Sequence, residues 1–174
     1  MSSINTIAKI IGLTSAAWLS GNISALSLIS IPAVANIKQD SSLSNAHAVR
    51  LWQQNYQRGA SQNPPIALGA SASLGYLAWS LRNLRTATVM GLGPSFLLSI
   101  AAVSTIAIVP FTIVFMRATN NKLLALAAKA KKDEVSVVET EDIEALLERW
   151  TALNRLRGFL PMVGAVCACV AVIA

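Results

Sequence analysis

Long hydrophobic runs alternate with polar segments along this chain. Residues 5–34 and 90–116 are apolar for longer than the about 20 residues that cross a bilayer core of about 30 Å. Residues 64–81 and 153–174 form shorter runs that still fall within the range of about 17–25 residues for one span. The pattern predicts an all-α fold, a four-helix transmembrane bundle formed by a single integral membrane domain over residues 1–174.

The first polar segment, residues 36–63, is predicted to contain a short extramembrane helix. Ser44 would cap its start and Gly59 would end it. Pro64 and Pro65 would then begin the second span, since proline lacks the N–H that continues a helix.

The second polar segment, residues 117–152, is rich in charge and is predicted to have helical ends. Thr140 is a candidate cap for the helix that carries Trp150. Within the preceding apolar run lie Pro94 and Pro110, where kinks would open a cavity. Four spans place both polar segments on one side of the membrane.

Composition and charge support a membrane protein. Hydrophobic residues make up 54% of the chain and charged residues 13%, whereas about 25% charged is normal for a soluble domain. The net charge is +6, and most of the Lys and Arg residues lie in the polar segments, which predicts that these segments are cytosolic and contact anionic lipid. No motif indicates nucleic-acid binding. An endomembrane such as the endoplasmic reticulum is the expected location.

The few cysteines and histidines argue against a structural metal site or a disulfide. Cys167 and Cys169 are the only cysteines, and at i, i+2 they point to different sides of a helix. His47 is the only histidine. We therefore expect no closed structural zinc site.

The helix leading into the last run carries a polar face. Trp150, Asn154 and Arg157 stand at i, i+4 and i+7 and share that face. Burying polar groups where the helix enters the bilayer costs several kcal/mol unless they bind a ligand or another partner. The alternative is that Arg149, Arg155 and Arg157 are anchors that reach up to lipid headgroups.

The first polar segment supplies further candidate residues. Trp52 and Tyr56 are neighbours at i, i+4, and either line a site or belong to an interfacial aromatic belt. His47 is either a base or a solvated surface histidine. The same-side arrangement gathers a base, cations, amides and aromatic rings at one end of the bundle, which suits a flat, apolar, weakly acidic ligand. These residues are His47, Trp52, Tyr56, Arg117, Asn120, Asn121, Trp150, Asn154 and Arg157.

Several short motifs in order resemble the fungal anthrone oxygenase family of small four-span membrane proteins. They are Pro110-Phe111-Thr112, Thr119-Asn120-Asn121-Lys122-Leu123, and Arg149-Trp150 with Leu153-Asn154 and Arg157, preceded by Trp52, Tyr56 and Gly59. The resemblance implies oxidation of a polyketide anthrone, such as emodin anthrone, to the anthraquinone by molecular oxygen in fungal secondary metabolism.

The catalytic hypothesis assigns three residues. His47 would remove the acidic proton from the carbon opposite the anthrone carbonyl, because imidazole exchanges protons near neutral pH. Arg157 and Asn154 would donate hydrogen bonds to the developing oxyanion. The carbanion would then reduce oxygen directly, so no cofactor is required, although a metal or flavin is left open.

The remaining candidates would bind the substrate. Trp52, Tyr56 and Trp150 would stack on its planar rings. Asn120 and Asn121 would either contact the substrate or, preferably, cap the helix that follows the third span. The competing class is a non-catalytic membrane scaffold whose polar face binds a partner. The expected partners are an aromatic polyketide and the bilayer, with the oligomeric state left open.

Overall fold

Four long helical rods pack side by side in this computed structural model, which describes residues 3–39, 43–83, 88, 91–132 and 143–173. The elements described are all helical, which confirms the predicted all-α bundle. The helices are α1 (Ser3–Ala25), a first π turn (Leu26–Ser30), α2 (Ile31–Gln39), α3 (Asn45–Ser80), α4 (Pro94–Ile106), α5 (Ile108–Phe111), a second π turn (Thr112–Met116), α6 (Arg117–Lys132) and α7 (Ile143–Ile173).

The rods form a closed ring of neighbours. The first rod (α1 to α2) and the third (α4 to α6) each pack against both α3 and α7. Asn22 meets Asn63 while Asn5 meets Tyr76, so α3 runs antiparallel to α1. Ser20 contacts Gly158 while Ser27 contacts Asn154, so α7 also runs antiparallel to α1. The helices α3 and α7 are therefore parallel to each other across the bundle.

Among the described residues, three helical stretches are long and apolar enough to cross a membrane. They are Ser3–Val34, Pro94–Lys132 and Ile143–Ile173. The second predicted span, residues 64–81, lies in α3 but is diluted by glycine, serine and tyrosine. Its packing between the first and third rods places it within the bundle, while the count of four spans stays a prediction.

The start of α3 agrees with the sequence analysis. Ser44 is the N-cap, and its hydroxyl accepts a hydrogen bond from the backbone N–H of His47 at 3.3 Å. Such a cap satisfies one of the free N–H groups of the first turn.

The predicted helix end at Gly59 is wrong, because α3 continues through Pro64 and Pro65. The two prolines withhold donors only from the carbonyl oxygens of Ala60 and Ser61, whose residues are exposed. Those oxygens can accept hydrogen bonds from water instead, so the loss of two helical hydrogen bonds costs little stability. The extramembrane helix and the second span are consequently one rod, and the rotation of one half determines that of the other.

The third rod is also longer than predicted. It begins at Pro94, the favoured first helical position, and passes through Pro110 into the second π turn. The helix then continues past Asn120 and Asn121, so neither residue is a cap. The proposed cap Thr140 lies outside the described residues.

Within the first π turn, one backbone carbonyl of the first rod has no donor from its own helix. The N–H of Ile31 donates to the carbonyl of Leu26, and Pro32 has no N–H. The Ser27 carbonyl therefore receives a hydrogen bond neither from Ile31 nor from Pro32. Its donor must come from outside the rod.

That partner comes from α7. The Arg155 guanidinium donates to the Ser27 carbonyl across a long 3.5 Å. The Asn154 amide donates to the Ser27 hydroxyl at 2.6 Å and to the Ile23 carbonyl at 2.9 Å. Two adjacent side chains of α7 therefore bind the irregular turn of the first rod.

Glycines allow α7 to approach its neighbours closely. A Cβ added at Gly164 would lie 3.0 Å from the carbonyl oxygen of Ala101 and in contact with the Thr105 hydroxyl. One added at Gly158 would lie 2.8 Å from the Ser24 hydroxyl. Small residues of this kind let membrane helices pack backbone to backbone.

We expect Gly164→Ala to lower stability by about 1–3 kcal/mol, because the methyl group overpacks the contact with α4. The matched variant Gly21→Ala, where a Cβ meets nothing within 4 Å, should change stability by no more than about 1 kcal/mol. Thermal unfolding in detergent measures both. Equal midpoints for the two variants would contradict the close contact.

We expect Asn154→Leu to destabilise the protein by about 1–3 kcal/mol, since it removes the buried bonds to the first π turn. Asn121→Leu, at an exposed position, is the control and should unfold like the wild type. If Asn154→Leu kept its stability but lost all activity, a direct catalytic role would replace the structural one.

Candidate active site

A cavity of about 210 Å³ lies at the depth of the two π turns. We call it the Arg157 cavity. It is lined by Leu26, Tyr56, Gly59, Ala60, Asn63, Pro64, Ile108, Val109, Thr112, Ile113, Trp150 and Arg157. It falls below the about 300 Å³ at the lower end of small-molecule sites, which favours a compact, flat ligand.

Arg157 brings a positive charge to this cavity. One guanidinium nitrogen donates to the Thr112 hydroxyl at 3.3 Å, and that hydroxyl donates to the Ile108 carbonyl at 2.7 Å. The Nε of Arg157 is buried and has no hydrogen-bond partner among the described residues. None of the described residues that line the cavity is a carboxylate, so the positive charge of Arg157 has no acidic partner among them.

Aromatic rings form the opposite end of the cavity. Tyr56 stacks on Trp52 with ring centroids 5.1 Å apart, and Trp52 meets the edge of Trp150 at 5.9 Å. The indole N–H of Trp150 donates to Asn120 at 3.0 Å. Tyr56 and Trp150 line the cavity, whereas Trp52 and Asn120 are buried behind them and fix their rings.

His47 is not among the residues that line this cavity. Its exposed imidazole lies 2.7 Å from the hydroxyl of Ser44, its own helix cap. It precedes Tyr56 by two and a half helical turns, which is about 14 Å along α3 and half a turn around it. The structure thus does not bring His47 and Arg157 into one site, and the role of His47 as a base stays a prediction.

The two other candidate amides also lie away from the cavity lining. Asn154 is fully buried and donates into α1, and its Oδ1 has no described partner. Asn121 is exposed on α6. Of the predicted site residues, the structure gathers Tyr56, Trp150 and Arg157 around one cavity.

Sequence reasoning missed two polar residues of the cavity, Asn63 and Thr112. Asn63 is 3% exposed but stands at the end of a polar segment, where a solvated amide is the ordinary interpretation. Thr112 belongs to the motif Pro110-Phe111-Thr112. Its hydroxyl stands two residues after a proline in an apolar run, and this feature of the sequence could have identified it as a candidate site residue.

A larger cavity of about 340 Å³ lies nearer the chain connections, between α2, α3 and α7. Its charged lining residues are Glu144, Glu148 and Arg155. Two carboxylates oppose the binding of a guest that becomes an anion. The Arg157 cavity has the opposite charge and unpaired donors, and it is the better candidate despite its smaller volume.

The described residues contain no group of three or more His, Cys, Asp or Glu side chains that could hold a metal ion. The two cysteines are free. The Arg157 cavity can bind a planar aromatic molecule and stabilise negative charge on one of its oxygens. Its Ala60, Pro64 and Ile113 are exposed, so the cavity opens on the outer surface of the bundle.

Comparison with known proteins adds independent information. The family model described as anthrone oxygenase matches residues 52–167. Anthrone oxygenase encC of Aspergillus fumigatus is 35% identical, over 95% of this chain and 92% of its own length. Anthrone oxygenase tpcL of the same species is 33% identical, over 86% of this chain and 83% of its own.

Noranthrone monooxygenase of Aspergillus flavus is 30% identical over 86% of this chain and 65% of its own length. No solved structure matches this chain. The family match includes the cavity residues from Tyr56 to Arg157. The chain therefore belongs to the anthrone oxygenase family.

Proposed function

We propose that this protein oxidises an anthrone to the anthraquinone with molecular oxygen, in the secondary metabolism of a fungus. The names of its relatives support this activity. The observation that carries it is the unneutralised Arg157 guanidinium beside Tyr56 and Trp150 in an otherwise apolar cavity. Such a site suits a planar molecule whose oxygen becomes negative during the reaction.

The first step is transfer of a proton from the methylene carbon opposite the anthrone carbonyl to water at the open mouth of the Arg157 cavity, because His47 does not line it. The resulting anion is an aromatic phenolate, with its negative charge on the former carbonyl oxygen. Arg157 donates to this oxygen, and its charge favours the anion over the neutral ketone. A donor of this kind has an effect of about 10²–10³ on kcat when it acts in a water-poor site.

The second step transfers electrons from the carbanion to oxygen. A bond forms between the methylene carbon and one oxygen atom, and protonation gives a hydroperoxide. The hydroperoxide loses water, which takes the remaining hydrogen of that carbon, and leaves the second carbonyl. One oxygen atom enters the quinone and the other leaves as water.

We propose that oxygen is the only co-substrate. The carbanion is sufficiently electron-rich to react directly, and the described residues that line the Arg157 cavity include no Cys, His, Asp or Glu. Turnover by the purified protein should therefore persist after extensive treatment with a chelator. Loss of activity on chelation, restored by one metal, would contradict this proposal.

Arg157→Ala should lower the rate of quinone formation by about 100-fold, because the anion loses its donor. Arg149→Ala is the matched control, an exposed arginine on the same helix, and should retain the wild-type rate. Quinone absorbance follows the reaction, with spontaneous oxidation subtracted and folded protein quantified. Wild-type protein that does not exceed the spontaneous rate would instead indicate a non-catalytic scaffold.

His47→Ala tests the proposed base. Because the imidazole does not line the cavity, we expect this variant to form quinone at close to the wild-type rate. A large loss of kcat in protein of wild-type stability would assign the proton transfer to His47 and require a ligand position nearer the start of α3.

The apolar spans are consistent with a membrane protein, and location in the endoplasmic reticulum stays a prediction. Co-localisation of the tagged full chain with a marker of that membrane checks it. The absence of nucleic-acid binding also stays a prediction.

A further inference from the structure

Asn63 is a buried amide with one half unused. Its side-chain oxygen accepts a hydrogen bond from the Asn22 amide at 2.8 Å. Its Nδ2 is buried and has no hydrogen-bond partner among the described residues. Leaving a buried donor unpaired costs stability, and a ligand with an acceptor oxygen would remove that cost.

The unpaired Nδ2 lies next to the Arg157 cavity. Both Asn63 and Gly59 line that cavity, and a Cβ added at Gly59 would lie 3.4 Å from Asn63 Nδ2. Because Gly59 has no side chain, only its backbone separates that position from the amide. Asn63 is itself only 3% exposed, so a small shift of the side chain towards the cavity would bring its donor to a ligand.

Asn63 and Arg157 lie at the same depth of the bundle. Asn22 of α1 contacts Asn63, and the adjacent Ile23 and Ser24 contact Gly158, the residue after Arg157. The aromatic residues Tyr56 and Trp150 each precede these polar groups by seven positions, which is about 10 Å along parallel helices. The cavity therefore has a polar end with two donors and an aromatic end.

Asn22 determines which half of the Asn63 amide faces the cavity. By donating to the Asn63 oxygen, it engages the acceptor of that side chain and leaves the donor for the cavity. Burying an amide pair between two rods of a hydrophobic bundle costs free energy, so such pairs commonly have a function. Here the function is binding of a ligand in the adjacent cavity.

We infer that Asn63, oriented by Asn22, binds an acceptor oxygen of the aromatic substrate together with Arg157. Asn63 contacts the substrate directly, whereas Asn22 is a positioning residue. This inference rests on the proposed function for the identity of the substrate. It adds that recognition requires an oxygen at the end of the molecule that enters between Asn63 and Arg157.

Equilibrium binding of 1,8-dihydroxyanthraquinone to the purified full chain tests this inference without turnover. Quenching of tryptophan emission reports saturation. We expect Asn63→Leu to weaken binding roughly tenfold, the ratio given by one lost hydrogen bond to a buried group. Asn63→Asp retains the acceptor for Asn22 but lacks the amide donor, and should weaken binding at least as much.

Gln62→Leu is the matched control, since it removes the neighbouring exposed amide of α3, and should bind like the wild type. Asn22→Leu should also weaken binding. The double variant Asn22→Leu/Asn63→Leu should bind no more weakly than Asn63→Leu, because Asn22 acts only through Asn63.

Wild-type affinity in folded Asn63→Leu or Asn63→Asp would overturn the inference, as would additive losses in the double variant or no saturable binding by the wild type. Failure of the proposed function has a different signature. In that case the wild type binds the quinone and the variants weaken binding, but anthrone is not oxidised above the spontaneous rate.

Discussion

The attachment of α7 to the first π turn is the interaction on which the site depends. Asn154 and Arg155 donate to the hydroxyl and carbonyl of Ser27, and Gly158 brings the helix backbones together. Arg157 lies between these contacts in sequence, so the rotation of α7 that satisfies Ser27 also directs the guanidinium towards the cavity. Buried polar bonds between membrane helices thus determine where the charge proposed to act in catalysis lies.

The helix periodicity of the sequence was sufficient for much of the architecture and part of the site. Apolar runs predicted the bundle, and Ser44 predicted the start of α3. The spacing of Trp52 and Tyr56 predicted that they are neighbours, and their rings stack in a cluster that also includes Trp150. These features follow from local geometry, in which residues at i and i+4 meet whatever the rest of the chain does.

The other site residues depend on how whole helices are rotated. Asn154 and Arg157 lie on the same broad face of α7, but Asn154 contacts α1 whereas Arg157 lines the cavity. The continuation of α3 through Pro64 places Asn63 within a rod, where it is buried in the bundle. Neither result can be read from composition, because both depend on packing between rods.

The π turns determine where the rods tolerate a change in length. A π turn contains about one residue more than the α-helical turn that it replaces, and in an uninterrupted α-helix that extra residue would rotate the following side chains by about 100°. A one-residue insertion or deletion within Leu26–Ser30 or Thr112–Met116 would interconvert the two helix types while both ends of the rod remain helical. Each turn thus accommodates a change in length that would otherwise re-aim the residues of the cavity.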